Sequence, residues 1–309
     1  MTDKVVVLTG GVGGAKLVLG LAQIMRPERI TAIVNTGDDF DHFGLRISPD
    51  IDTLLYTLAG KANSALGWGR EGESWSFMES LRSLGGEDWF LLGDGDLALH
   101  ILRTARLKEG IALSAITREF AAAWGVGVTM LPMSDDPVST HLMTDEGDLP
   151  FQRYFVERRC APVVRSVRFQ GAAEARAAPG LVAAILDADT RAILIAPSNP
   201  YLSIDPILAL PEIRSALVAA KAPIVAVSPI VGGQAVKGPT AKMMEELGVA
   251  ITPGSVAAHY ADIIDAILLD ERDPASDLAI AHASADTLMV TLADRARVAR
   301  AALELADRL

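Results

Sequence analysis

The sequence predicts an α/β protein built on an open, mostly parallel sheet, and three features carry that prediction. Residues 5–8 form an apolar β-branched run that stops at Thr9-Gly10-Gly11, after which Leu17, Leu21 and Ile24 take up helical spacing within 15–25. Residues 30–34 supply a second buried-type strand one crossover later, which makes a βαβ unit with parallel strands. Strand signals separated by helical ones return at 192–196 and 224–227, so the same sheet continues in the second half. The predicted class is therefore Rossmann-like, with helices on both faces of the sheet.

The remaining elements follow in order. After a polar loop at 35–46, Ser48 is a capping residue and Pro49 occupies the first helical position, with Ile51, Leu54, Leu55 and Leu58 as the apolar stripe. Asp50 is thereby expected at a helix N-terminus. Residues 61–123 read as a helical insertion, with helices near 77–84, 97–105 and 113–124 and a short apolar run at 89–92. Short alternating runs at 128–131, 140–143, 153–156 and 163–169 predict a small region of antiparallel hairpins over 128–170. Amphipathic helices near 257–267 and 293–305 close the chain. No low-complexity stretch, charge block or repeat marks a linker, so residues 1–309 are expected to form a single domain.

Composition narrows the function classes. Half of the 309 residues are hydrophobic, enough for a sizeable core. A net charge of -11 argues against a nucleic-acid partner, because that affinity rests on clustered Lys and Arg. Cys160 is the only cysteine, which excludes an internal disulfide and a Cys-based zinc site. The N-terminal apolar run is too short for a signal peptide and no later one spans a bilayer, so a soluble, cytoplasmic protein without a membrane partner is expected.

Six loops carry candidate chemistry. Gly10-Gly11-Val12-Gly13-Gly14-Ala15-Lys16 lies between a strand and a helix, where Gly admits close backbone approach and free amides favour an anion. It is not a Walker A loop, and Asn35 stands where a dinucleotide site needs an acidic ribose contact, which disfavours an NAD-dependent oxidoreductase. Asp38, Asp39, Asp41, Asp50 and Asp52 crowd the end of the second strand, and carboxylates without clustered Cys or His suit Mg²⁺. Asp94 and Asp96 precede His100, and Asp96 and His100 share a face if a helix begins there. Ser134-Asp135-Asp136-Pro137 offers acceptors for guanine N–H groups, or ordinary turn chemistry. Pro197-Ser198-Asn199-Pro200 and Ser228-Pro229-Ile230-Val231-Gly232-Gly233 follow buried-type strands, where a phosphate or ribose crevice would lie.

Taken in order, Gly10 to Leu17, Asn35-Thr36-Gly37-Asp38-Asp39, Ile47-Ser48-Pro49-Asp50, Leu92-Gly93-Asp94, Pro132 to Val138, Pro197 to Pro200 and Ser228-Pro229-Ile230 resemble the 2-phospho-L-lactate transferase family over nearly the whole chain. The segments Leu269-Asp270-Glu271-Arg272-Asp273 and Ala285-Asp286-Thr287-Leu288-Met289 look like the family as well. The resemblance implies transfer of a phospho-acid group from a guanosine diphosphate conjugate (lactyl, enolpyruvyl or related) to the deazaflavin alcohol Fo, giving coenzyme F(420)-0 and GMP with Mg²⁺ as cofactor. It implies Asp50 as the catalytic base and a metal ligand, with Asp38 and Asp39 also at the metal. Asp50, Asp94, Asp96 and His100 are expected to hold Fo; Gly11, Gly13, Gly14, Lys16, Ser134, Asp135, Ser198, Asn199 and Ser228 are expected to hold the nucleotide. Val12 stands where relatives often carry Thr and Leu91 where some carry Lys, so phosphate contacts are expected to rest on backbone amides. The competing reading is a noncatalytic regulator of the wider family that binds nucleotide sugars. A homodimer is the commonest oligomeric outcome.

Overall fold

The structure, a computed structural model, describes residues 3–63, 68–236, 238–275 and 278–309. Seven strands form one sheet: Lys4–Thr9 (β1), Ile30–Val34 (β2), Thr129–Pro132 (β3), Thr190–Ile195 (β4), Ile224–Val227 (β5), Ala266–Asp270 (β6) and Ala281–Ala285 (β7). Their spatial order is β7-β6-β5-β4-β1-β2-β3. Every neighbouring pair is parallel. The chain builds outward from β1 through β2 and β3, then returns to β4 and builds the other way. The loops leaving β1 and β4 diverge at that reversal, and open α/β sheets bind ligands in such a crevice.

Side chains alternate across a strand, so β1 feeds two cores. Val5 and Val7 pack with Leu17, Val18 and Leu21 of helix α1 (Gly11–Ile24), with Leu54 and Leu55 of α2 (Pro49–Leu58), and with Val298 and Ala302 of the helix Leu292–Ala306. Val6 and Leu8 face the opposite layer, which includes Ile185, Ile213, Leu217 and Val256. Gly20 lets α1 and the helix Leu292–Ala306 meet closely: a Cβ there would lie 2.2 Å from the Arg295 carbonyl oxygen.

Between β2 and β3 stand the helices Ser76–Ser83 (α3), Asp96–Lys108 (α4) and Leu113–Ala123 (α5). Among them Ile47, Met78 and Leu92 form a small separate core. Antiparallel strands form the hairpins Phe40–His42/Leu45–Ile47 and Ile230–Val231/Gln234–Ala235 and a three-stranded sheet of Gly147–Pro150, Ser139–Thr144 and Val164–Gln170.

Four local expectations are corrected. The run at 128–131 belongs to the parallel sheet as edge strand β3, whose half-exposed pattern mimics a hairpin strand. Residues 153–156 lie in a single π-helical turn, Arg153–Glu157, in which Tyr154 is buried. The helix expected at 257–267 ends at His259, and β6 begins at Ala266, because a strand buried on both faces has no period to read. The polar loop at 35–46 contains a hairpin rather than irregular chain throughout. No helix among the described residues is long and apolar enough to cross a membrane.

Candidate active site

The loop after β1 turns at Gly11, whose φ of +62° favours glycine. Gly10 caps α1 without a side-chain hydrogen bond, and the first turn of α1 contains no acidic residue. Its N-terminal amides are thus available to an anion, apart from Gly11 N–H, which donates to Asp50 Oδ1 at 2.7 Å. Glycine is required again at Gly13, where a Cβ would come within 2.5 Å of the Pro197 carbonyl oxygen. The loops after β1 and β4 are locked together by Ser198 Oγ, which donates to the Gly10 carbonyl at 2.7 Å.

Asp50 sits in the first turn of α2, 8% exposed, where the helix dipole favours a carboxylate. Its Oδ2 accepts from Asn35 Nδ2 at 3.0 Å. Asn35 is wholly buried at the end of β2, and its own Oδ1 accepts from Gly37 N–H at 2.8 Å, which fixes the amide's orientation. Burial pushes the Asp50 carboxyl up to about 6, against the opposing bonds from Asn35 and Gly11. Asp38, also buried, is driven well above the usual carboxylate range by desolvation and by the charge of Asp50, and its Oδ1 has no hydrogen-bond partner. Two desolvated carboxylates whose charges act on each other resist simultaneous ionisation and are primed for a cation.

Behind Asp50 runs a second polar network. Arg103, 1% exposed, pairs with both oxygens of Asp52, with Nη1 to Oδ2 at 3.1 Å. His100 Nδ1 lies 3.7 Å from Asp52 and its Nε2 3.3 Å from Asp96, and Tyr56 donates its hydroxyl to Asp96.

Asp38, Asp50, Asp52, Tyr56, Asp96 and His100 face one cavity of about 760 Å³. One part is polar and glycine-rich, with Gly11, Gly13, Ser198, Asn199, Ser228 and Thr240; another is aromatic, with Trp68, Trp89, Phe90, Phe151 and Phe155. The cavity can accept a polyanion beside a flat apolar ring, with Asp38 and Asp50 also on its wall.

The model of the family described as 2-phospho-L-lactate transferase CofD matches residues 5–307. The chain belongs to the CofD family. It is 42% identical over 318 residues to a phosphoenolpyruvate transferase of Kitasatospora aureofaciens, covering 99% of this chain and 98% of that one. It is 40% identical over 291 residues to a 2-phospho-L-lactate transferase of Methanosarcina mazei, covering 93% and 95%. Its fold is similar to that of a UPF0052 family member from Bacillus halodurans, with a TM-score of 0.64 at 18% identity, covering 98% of this chain and 99% of that one.

In this CofD-family chain the residues expected from sequence separate into two groups. Gly11, Gly13, Lys16, Asp38, Asp50, Asp96, His100, Ser198, Asn199 and Ser228 all line the cavity. Lys16 Nζ donates to the Met289 carbonyl at 2.6 Å, and the Asn199 side chain caps the turn Pro200–Ile204. The others do not line it. Gly14 is needed for packing, since a Cβ there would meet Thr9 Oγ1 and Ser198 Oγ. Asp39 accepts from Ser48 Oγ at 2.7 Å beside Arg46, and burial lifts its carboxyl to about 7. Ser48 therefore serves Asp39 and makes no side-chain cap for α2. Asp94 accepts from Ser74 Oγ and from the Ser76 and Phe77 amides, tying down the start of α3. Ser134 donates to the Arg176 carbonyl, and Asp135 takes the amide and hydroxyl of Ser114 at the start of α5. Ser134 and Asp135, expected at the guanine, thus lie off the cavity lining and are engaged within the protein.

Sequence reasoning missed Arg103 and Tyr56 of the polar network, and Gln152 and the aromatic wall of the cavity. Asn35 was legible only as a missing acid, although its position at the end of a buried strand beside the carboxylate cluster was already a signal.

Proposed function

We propose that this chain transfers a phospho-acid group from a guanosine diphosphate conjugate to the terminal ribityl hydroxyl of Fo, yielding coenzyme F(420)-0 and GMP. The observation that carries the reading is Asp50, held by the Gly11 amide and Asn35 at the β1/β4 reversal, on a cavity that also presents an anion-binding helix terminus and an aromatic wall.

In this scheme the α1 amides, with Ser198 and Asn199, receive the donor's diphosphate, and Ser228 lies toward the nucleoside. The deazaflavin ring packs on the aromatic wall, with Asp96 and His100 offering polar contacts. The hydroxyl oxygen of Fo forms a bond to the phosphorus bearing the acid, the bridging P–O bond to GMP breaks with its electron pair leaving on GMP, and the hydroxyl proton passes to Asp50. A carboxyl with a pKa of about 6 is mostly ionised at pH 7 and remains basic enough for that transfer. Positioning of two oxygens about one phosphorus supplies most of the remaining acceleration.

The residues fit Mg²⁺. Asp38 carries an orphaned buried oxygen facing the charge of Asp50, and Mg²⁺ characteristically takes one or two carboxylates plus substrate phosphates. No set of three or more His, Cys, Asp or Glu among the described residues is grouped for a metal, which accords with a donor diphosphate completing the shell. When bound, the ion would neutralise charge on that diphosphate.

The test is incubation with Fo, Mg²⁺ and the lactyl, enolpyruvyl or glyceryl conjugate, with GMP and deazaflavin products followed by mass spectrometry. Product from one donor names its acid; no product from any, with tight nucleotide-sugar binding, replaces this reading with a binding protein.

A further inference from the structure

The cavity wall is rich in carboxylates, with Asp38, Asp50, Asp52 and Asp96 all on it. Among the described residues the cationic side chains that line it are Lys16, His100 and Arg159. Lys16 is engaged by the Met289 carbonyl, and His100 stands between Asp52 and Asp96. Arg159 has no hydrogen-bond or ion-pair partner among the described residues, although carboxylates are abundant nearby in sequence and on the cavity wall.

The backbone beneath Arg159 is specialised. Arg159 and Cys160 are both left-handed, with φ of +49° and +56°, a conformation L side chains rarely adopt and one that clusters at functional sites. The turn is pinned by Arg158 N–H to the Arg153 carbonyl and by Cys160 N–H to the Tyr154 carbonyl, each at 2.9 Å. Tyr154 is fully buried, and Lys242 Nζ grips the Pro162 carbonyl beyond the turn at 2.9 Å. The same segment reaches the backbone of the loop that carries Asp38, since Gln152 Nε2 donates to the Asp38 carbonyl at 3.2 Å.

We infer that Arg159 is the contact for the carboxylate of the transferred phospho-acid. The inference rests on the transferase reading above. The diphosphate is served by the α1 amides after β1, on a different segment from Arg159, which leaves the donor's acid as the anion still needing a cation. A guanidinium presents a planar fork that meets a carboxylate in two parallel hydrogen bonds. Both phospholactate and phosphoenolpyruvate carry that carboxylate, so Arg159 would select for the acid and not between the two acids.

The test measures dissociation constants by calorimetry for GDP, for the phospho-acid conjugate and for the methyl ester of that conjugate. The proteins are the wild type, Arg159→Lys and Arg159→Gln. A charge-assisted pair predicts that the wild type prefers the acid over its ester by roughly 10- to 100-fold. Arg159→Gln should abolish that preference, Arg159→Lys should retain part of it, and all three should bind GDP equally. Equal discrimination by Arg159→Gln and wild type overturns the inference, as does a wild type indifferent to esterification. Parallel loss of GDP and conjugate binding overturns it by moving Arg159 to the diphosphate. A wild type that prefers the acid through Arg159 yet makes no product with Fo sustains the inference and removes the transferase reading instead.

Discussion

Replacing Asp50 by Asn separates the charge of this side chain from its shape. Burial raises the folded-state carboxyl to about 6, whereas an unfolded Asp titrates near about 3.9. Between those values the folded protein binds the proton that the unfolded chain has lost, so stability falls as the pH rises through that window. Two pKa units amount to about 3 kcal/mol, a destabilisation complete above about pH 7. Asn abolishes it, but its NH₂ replaces one acceptor oxygen and faces either the Gly11 amide or the Asn35 amide, costing about 1–2 kcal/mol. Asp50→Asn should therefore be more stable than wild type by about 1–2 kcal/mol at pH 7.5 and, because about 0.9 kcal/mol of the burial penalty is already present at pH 4.5, less stable by at most about 1 kcal/mol there. With an unfolding entropy of about 2.1 cal/mol/K per residue over 309 residues, this corresponds to a melting midpoint raised by roughly 2–3 °C at pH 7.5 and lowered by at most roughly 2 °C at pH 4.5. Thermal unfolding without Mg²⁺ at the two pH values reads the crossover, and turnover should drop at least ~10³-fold through loss of the base. A variant that melts below wild type at both pH values, or that turns over within tenfold of it, would refute the reasoning.

Four further outcomes are expected. Arg103→Met strands the buried Asp52 carboxylate and should cost about 3–5 kcal/mol in urea unfolding, most of it recovered by adding Asp52→Leu. Gly13→Ala drives a Cβ into the Pro197 carbonyl and should cost about 1–3 kcal/mol of stability and weaken GDP binding, measured by calorimetry. Asp94→Ala and Asp135→Ala each remove a helix-start anchor and should lower stability by about 1 kcal/mol while leaving GDP affinity unchanged. Mg²⁺ binding in the presence of GDP should strengthen at least about tenfold per unit rise in pH below about 6, because the raised carboxyls of Asp50 and Asp38 must lose their protons first; a flat profile from pH 5 to 7 would exclude those carboxylates as ligands.

The parts of the fold with a local signature were readable from sequence. The opening βαβ unit announces itself through a β-branched run, a Gly loop and helical spacing, and Asp50 through the Ser48-Pro49 helix start. Strand β7 was invisible because Ala281, His282 and Ser284 have little β preference, and β3 was misassigned because exposure at a sheet edge imitates a hairpin. At the site, glycines and carboxylates were legible by type, but their division of labour was not. Asp38 and Asp39 are adjacent in sequence, yet one lines the cavity and the other is consumed by Ser48 and Arg46. Likewise Asp135 and Asp94 look chemical until their donors, Ser114 and Ser74, are seen; those pairings join residues about twenty apart with no periodic signal.

The contact of α1 with the helix Leu292–Ala306 at Gly20, together with the Lys16–Met289 bond, has a consequence for synthesis of the protein. A ribosome delivers the glycine loop and Asp50 early, but Ser198 and Asn199 emerge roughly 150 residues later, and the clasp on α1 later still. Until β4 emerges, β1 is paired on the β2 side alone and keeps one open edge, the state in which nascent chains aggregate most readily. The cavity should thus be complete only after the segment that carries Met289 has emerged, so a chain stalled before it presents an unfinished site.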